Sequence, residues 1–445
     1  MLNVAGQNPG FNLASREYTG RHNKLTIELP PEWGVEPVPV KKKILRSLDY
    51  LILWSSLAIG LLVLQAGSLL IPGLSLVEAL AVALFGSIIG SAMLAAAGSI
   101  GSKYGIPTMV SLRGVLGREG SYLPTLLNVL QLVSWAAFEI LIMSDAAMFL
   151  GPFLGDYTRY FWIIFFAGCC MFLALGGPVA VVRQWLKKFA VWIAFGATAY
   201  ITYIVLSKSH EFVLFQGDGS LPIALALDLV IAMPISWWPL VSDYNRFSKS
   251  EKGAFIGTIS GYTFANFWFY SLGALLVLAY PGTDVVRSIV SITFGALALI
   301  MLLVDETDNG FADIYSAAVS IQNVSLKFSQ RKLIVAITIV SVIIAALLPK
   351  EWQLAYESFL LMYIGPAFVP LLGVLFADFY LIRRGEYSVK EFYASAKRLK
   401  VKAMVAWAIG IIAYFLFFYV YTAIGSSIPS FIISALSLYA LEKAI

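Results

Sequence analysis

Four carboxylates fall in the run Asp305-Glu-Thr-Asp-Asn-Gly-Phe-Ala-Asp-Ile-Tyr-Ser316, and both flanks of that run are apolar: Leu297, Ile300, Leu302 and Leu303 before it, Ala317, Ala318, Val319 and Ile321 after it. Carboxylates and the Thr307 hydroxyl are hard oxygen donors of the kind Na⁺ accepts, and a buried carboxyl group is an alternative carrier, of a proton. At about 100° per residue, Asp305, Asp308, Asn309, Ala312, Asp313 and Ser316 share one helical stripe, while Phe311, Ile314 and Ala318 fall away from it. A second set, Gln131, Trp135 and Glu139, recurs every fourth residue and so stacks on one helical face. An indole with an amide and an acid suits a flat polar heterocycle, the ring stacking on its face and the polar groups pairing with its edge. A Trp packed on a neighbour and a Glu bonded to another helix would use the same spacing. A third set is Pro234-Ile-Ser-Trp-Trp-Pro-Leu-Val-Ser-Asp-Tyr-Asn-Arg-Phe247. There Ser236, Trp237 and Trp238 sit between two prolines that weaken a helix and free backbone groups, and either indole could supply a second stacking face. Asp243 and Arg246 read as a structural pair at the end of that helix.

These residues are carried by a membrane protein. Of 445 residues 59% are hydrophobic and 13% charged, with a mean hydropathy of +0.81, which excludes a soluble domain. Each acid at mid-bilayer costs about 2.5 to 3.5 kcal/mol, so four facing lipid would cost on the order of 10 kcal/mol. The acids at 305–313 must face protein or water. Lys and Arg are absent from the interiors of the apolar runs, so a mobile cation, a proton or a polar ligand is their natural partner. Adjacent Cys169 and Cys170 are poorly placed to bridge each other, and His22 and His210 lie in polar segments, so a zinc or haem site and any resident cofactor are not expected.

Apolar runs of membrane length recur about twelve times between Leu48 and Leu441, predicting an all-α integral membrane protein. With the N-terminus inside, only Arg159, Lys208, Arg287 and Lys350 of the 31 basic residues lie outside, so both termini are expected in the cytoplasm, at the plasma membrane. Residues 1–47, with Pro30, Pro31, Pro37 and Pro39 and the cluster Lys41 to Lys43, read as a disordered or loosely packed tail. Spans one to five fill residues 48–206 and spans six to ten fill 221–382, units of nearly equal length; residues 400–445 hold two additional helices. A repeated unit with an odd number of spans is inverted, an architecture of transporters with a site at the midplane. The first span of each unit also carries helix-weakening residues, Ser55, Ser56 and Gly60 in one and Pro234 with Pro239 in the other. Gly86, Gly90 and Gly98 suit close helix packing. Gly365-Pro366 and Pro370 predict a kink in span ten.

The segments Ser236 to Phe247, Asp313-Ile-Tyr-Ser-Ala-Ala-Val-Ser320 and Gly-Ser-Tyr-Leu-Pro at 120–124 together resemble the nucleobase/cation symporter family, the permeases of cytosine, purines, uracil, hydantoin, allantoin and thiamine precursors. The end of span eight is most similar to the hydroxymethylpyrimidine permease branch. The resemblance implies a LeuT-type fold of two inverted five-helix repeats plus two helices, importing a planar heterocycle such as cytosine or hydroxymethylpyrimidine with Na⁺ or H⁺ by alternating access. It implies substrate contacts at Trp135, Glu139 and Asp313, to which the residue pattern itself adds Gln131, Ser236, Trp237, Trp238 and Asn309. It implies a sodium site from Ser56, Ile59, Gly60, Thr307 and Asp308. In this chain Pro234 stands where the family has a stacking aromatic, and Asp308 and Asp313 replace neutral side chains. Acids at Glu139 and Asp313 favour a donor-rich edge, as in an aminopyrimidine.

A LeuT-type carrier of another small solute, such as an amino acid, is the alternative. An intramembrane enzyme is disfavoured: the spans hold no His, no Gly-x-Ser-x-Gly elbow and no metal-ligand set. The expected partners are a small heterocycle and the lipid bilayer, with no nucleic acid and no obligatory protein partner.

Overall fold

The computed structural model describes residues 32–443 except 152, 209–210, 350 and 394–397. The first 31 residues of the expected tail, with His22 and His210, lie outside the described residues. What is described is helical, with one isolated bridge between Leu45 and Ser248. The long helices are α1 (Ser47–Ser56 and Leu61–Ser68), α2 (Leu76–Tyr104), α3 (Tyr122–Ala147), α4 (Gly155–Gly176), α5 (Pro178–Lys208), α6 (Ile223–Asn245) and α7 (Glu251–Ala279). They continue with α8 (Gly295–Val324), α9 (Gln330–Leu347), α10 (Gln353–Ile382), α11 (Val401–Tyr419) and α12 (Ser427–Lys443). Among the described residues nine helices are long and apolar enough to cross a membrane, or ten if the two halves of α1 count as one span. The count of twelve thus also takes in α8, which carries the four acids, and α12, which is 17 residues long.

Helix α1 is bent by 61° between its halves. Its first half starts where Asp49 reaches back to accept from the Arg46 N–H at 2.9 Å, one half of a capping box, since the Arg46 side chain has no acceptor to return the bond. At the break the Ile59 N–H still reaches the carbonyls of Ser55 and Ser56, and Gly60 then runs extended, so the second half begins afresh at Leu61. Helix α6 relaxes instead of bending: with Pro234 inside it and Pro239 following, a 3₁₀ turn occupies Trp238–Leu240 before the helix resumes. Helix α10 carries Pro370 and is π-helical at Leu360–Ile364 and Ala377–Ile382.

Helices α1, α2, α6 and α7 pack as one group, and α3, α4, α8 and α9 as a second, with α10, α11 and α12 against one another. Small residues allow the first group to close. A Cβ on Gly257 or Gly261 of α7 would run into the backbone of Ser47 to Leu51 in α1, and one on Gly86, Gly90 or Gly98 of α2 into Val230, Pro234 or Asn245 of α6. Asp228, a buried acid in α6, accepts from the Ser426 and Ser427 N–H groups at 2.5 and 2.9 Å, capping α12.

The described part of the tail is not loose. Val35, Val38 and Leu45 are buried, the Trp33 ring meets Phe247 edge to face, and the Val38 N–H donates to the Gly105 carbonyl at 2.8 Å. Arg246 donates to the Gly34 and Trp33 carbonyls at 2.6 and 2.8 Å, and the Trp33 N–H donates to Gln330 Oε1 at 3.2 Å. This strap therefore runs from α6 in the first group to the start of α9 in the second. Proline-rich composition suggested disorder, but prolines carry no N–H to satisfy, and the apolar side chains between them find partners on the helix ends.

Candidate functional site

Helix α8 runs unbroken through its acids because neighbours enclose it on every side. Asp305, Glu306, Asp308, Asn309 and Asp313 are all buried. On one side lies the break in α1. Ser56 Oγ donates to Asp305 Oδ1 at 2.9 Å, Asn309 Nδ2 donates to the Ile59 carbonyl at 3.0 Å, and the Leu61 N–H donates to both oxygens of Glu306 at 3.0 Å. Gly60 faces the same two side chains: a Cβ there would stand 3.1 Å from Asn309 Nδ2 and 3.2 Å from Glu306 Oε1. Ser56, Ile59 and Gly60 are thus brought to α8, and the residues that meet them are Asp305, Glu306 and Asn309. Asp308 is buried beside Asp305 and Glu306. Asp308 lies near the Ser56 hydroxyl and the Asn309 N–H without a well-formed hydrogen bond to either, and among the described residues Asp305 Oδ2 and Asn309 Oδ1 have no hydrogen-bond partner.

Thr307 is not part of this group. Its hydroxyl donates to the Val304 carbonyl one turn back, at 2.8 Å. The residue lines an apolar cleft of about 670 Å³ with Trp162, Phe165, Cys169, Trp185 and Ile300. At two residues from Asp305 it is turned about 200° around the helix.

The other side of α8 meets α3 and α4. A Cβ on Gly310 would strike Cys170 Sγ at 2.7 Å and approach Glu139 Cβ. Glu139 lies beside Glu306, and the Asp313 carboxylate is near enough to act electrostatically on both Glu139 and Tyr244. Gln131 Nε2 donates to Asn128 Oδ1 at 2.7 Å and to the Ser236 carbonyl at 3.2 Å, where α6 loosens. Trp135 is met edge to face by Tyr356 and Phe359 of α10 at 5.8 and 5.4 Å. Gln131 Oε1, Trp135 Nε1 and Glu139 Oε2 are buried without a hydrogen-bond partner among the described residues. Buried polar atoms are satisfied in the great majority of cases, so this concentration along α3 and α8 marks a surface suited to a polar guest.

The two indoles of α6 separate. Trp237 meets Trp54 edge to face at 6.3 Å. Trp238 is fully buried and its Nε1 donates to the Phe368 carbonyl at 3.1 Å, so it bolts α6 to α10 and stands apart from the group. The Ser236 hydroxyl is turned back to the Met233 carbonyl at 2.7 Å, leaving its own carbonyl to Gln131. Asp243 and Arg246 are linked without a close carboxylate–guanidinium contact: Arg246 Nε donates to the Asp243 backbone carbonyl at 3.2 Å and its charge acts on the carboxylate. Asp243 Oδ1 accepts from the Thr108 N–H at 2.9 Å, while the other guanidinium nitrogens serve Trp33, Gly34 and the Tyr315 hydroxyl.

Sequence reasoning missed Glu306 as a partner of the α1 break and the aromatic wall of α10. The wall had a signal, since Trp352, Tyr356, Phe359 and Tyr363 recur at helical spacing on one face. Among the described residues, no three His, Cys, Asp or Glu side chains converge as metal ligands, because Asp305 and Glu306 are drawn to different points of α1.

A family described as permeases for cytosine/purines, uracil, thiamine and allantoin matches residues 37–440. The allantoin permease of Bacillus subtilis is 25% identical over 427 residues, covering 86% of this chain and 84% of that protein. The cytosine permease of Escherichia coli K12 is 25% identical over 361 residues, covering 78% and 80%. Among solved structures, Mhp1, a nucleobase-cation-symport-1 family transporter in a closed conformation with bromovinylhydantoin bound, superposes with a TM-score of 0.79 at 18% identity, covering 91% of this chain and 94% of that one. At that identity the likeness is one of fold, the LeuT-type fold. A match over nearly the whole chain makes it a transporter and not an enzyme: the chain belongs to the family of permeases for cytosine/purines, uracil, thiamine and allantoin.

Proposed function

We propose that this permease is a cation-coupled symporter that imports a neutral planar heterocycle of the aminopyrimidine kind, such as cytosine or hydroxymethylpyrimidine, across the plasma membrane by alternating access. The observation that carries the reading is the row of unpartnered buried atoms on α3 and α8: Gln131 Oε1, Glu139 Oε2 and Asn309 Oδ1 accept, and Trp135 Nε1 donates. Three acceptors and one donor complement an edge rich in N–H groups. The Trp135 indole supplies a stacking face and is held in place edge to face by Tyr356 and Phe359. Asp313 extends the acceptor surface, and Trp237 is the α6 indole assigned to it, Trp238 being held by the Phe368 carbonyl. The coupling ion belongs at the α1 break, where Ser56, Ile59 and Gly60 meet Asp305, Glu306 and Asn309, with Asp308 buried beside them. The free oxygens there suit Na⁺ or a proton.

The test is uptake into proteoliposomes of labelled cytosine, adenine, uracil and hydroxymethylpyrimidine, under a Na⁺ gradient and under a pH gradient alone. Concentrative uptake of an aminopyrimidine is expected, and the gradient that drives it names the ion. Strong uptake of uracil with none of an aminopyrimidine would overturn the edge assignment.

A further inference from the structure

The second half of α1 begins in the middle of the protein, and its first N–H groups have no partner within the helix. Such a terminus carries the positive end of the helix dipole and is a ready anion site. In LeuT-type carriers of carboxylated solutes, half-helix ends of this kind face the substrate carboxylate. Here the position is filled from within: the Leu61 N–H donates to Glu306 Oε1 and Oε2, both at 3.0 Å. The fit is close, because a Cβ on Gly60 would stand 3.2 and 3.6 Å from those two oxygens. The same carboxylate lies beside Glu139, whose Oε2 is buried and unpartnered among the described residues. The two buried bases, Arg113 and Arg246, are far from this point and engaged elsewhere, Arg113 with Asn323 and Phe392 and Arg246 with the strap. Among the described residues no buried basic side chain therefore offers itself to an anionic guest at this point.

We infer that Glu306 is a specificity-determining residue, a built-in carboxylate that occupies the anion position at the α1 break and thereby excludes substrates bearing a carboxylate. The inference rests on the reading of α3 and α8 as the substrate surface. It also separates this chain from the amino-acid alternative: an amino acid would need the N–H group that Glu306 already holds. Removing the side chain should reopen the position to a carboxylate from solution.

The test uses the purified full chain and two independent readouts. In the first, the thermal unfolding midpoint of Glu306→Ala is followed with formate or acetate against chloride at equal ionic strength. The carboxylates should raise the midpoint of the variant and leave the wild type unmoved. An equal response of the two proteins, or none in the variant, overturns the inference whatever the substrate proves to be. In the second, binding of cytosine is compared with binding of a carboxylated pyrimidine, orotate. Wild type should bind the neutral ring and refuse orotate, and Glu306→Ala should improve orotate relative to cytosine by about 10-fold. Should the alanine variant fail to fold, Glu306→Gln keeps the volume and one acceptor for Leu61 while removing the charge, and its orotate-to-cytosine ratio should rise in the same direction. An unchanged ratio in a variant that still binds cytosine refutes the role of Glu306. A wild type that binds neither ring sinks the substrate assignment instead, and the formate experiment still decides the anion position.

Discussion

Replacing Trp33 by alanine isolates what one ring contributes to the N-terminal strap. The backbone bonds of residue 33, its N–H to Gln330 and its carbonyl from Arg246, survive the change. What is lost is the edge-to-face contact with Phe247 at 5.3 Å, worth about 0.5–1.5 kcal/mol beyond its area. The half-buried ring also gives up roughly 100 Å² of burial, or about 2.5 kcal/mol. The sum, about 3–4 kcal/mol, is a rise of about 10²- to 10³-fold in the population of the released strap. Hydrogen exchange reads this directly, because the Val38 amide is bonded to Gly105 at 2.8 Å and exchanges only when the strap lifts. In the variant its exchange should accelerate by that factor, while amides in the middle of α3 keep their rates. A Val38 amide that exchanges equally fast in both proteins would refute the reasoning, since the strap would then open without breaking the Trp33 contact.

Trp135→Ala should weaken heterocycle binding by about 10- to 100-fold, the worth of one stacking face; because the buried ring also packs on Tyr356 and Phe359, the unfolding midpoint should fall as well, and calorimetric titration of cytosine into the folded variant measures the binding. Asp308→Asn should raise the half-activating concentration of the coupling ion by about 10-fold or more, whereas Thr307→Val, whose hydroxyl is spent on Val304, should leave it alone; ion-dependent uptake distinguishes the two. Asp228→Asn replaces one of two acceptors at the start of α12 by a donor facing an N–H. It should destabilise by about 2–4 kcal/mol, seen as a lower unfolding midpoint in detergent with unchanged substrate affinity.

The order of apolar runs, the acids of α8 and the Gln131, Trp135, Glu139 face were legible because they depend on local period and on the cost of charge in lipid. Which partner each acid takes was not, because the contacts join residues far apart in the chain: Glu306 and Leu61 are separated by 245 positions. Thr307 was placed by its hydroxyl, as a hard oxygen donor and through the resemblance, although the helical period already turned it away from Asp305. Trp237 and Trp238 are neighbours, and the 3₁₀ turn that begins at Trp238 divides them; no pattern in the sequence fixes where that turn starts. The strap misled in the opposite sense, since composition reports average tendency and not the few apolar side chains that find a surface.

The Asp228 cap has a meaning for the birth of the protein. A ribosome delivers α6 well before the residues that will satisfy its carboxylate, which arrive 198 positions later with Ser426. Throughout that interval the nascent chain holds an acid in the membrane with its destined donors still unmade. A chain cut short before Ser426 would keep it so for good, and such a stranded group costs several kcal/mol in hydrocarbon. The same carboxylate that fastens the last helix therefore ties the stability of α6 to the presence of α12: a chain lacking Ser426 and Ser427 should unfold more readily than one that carries them.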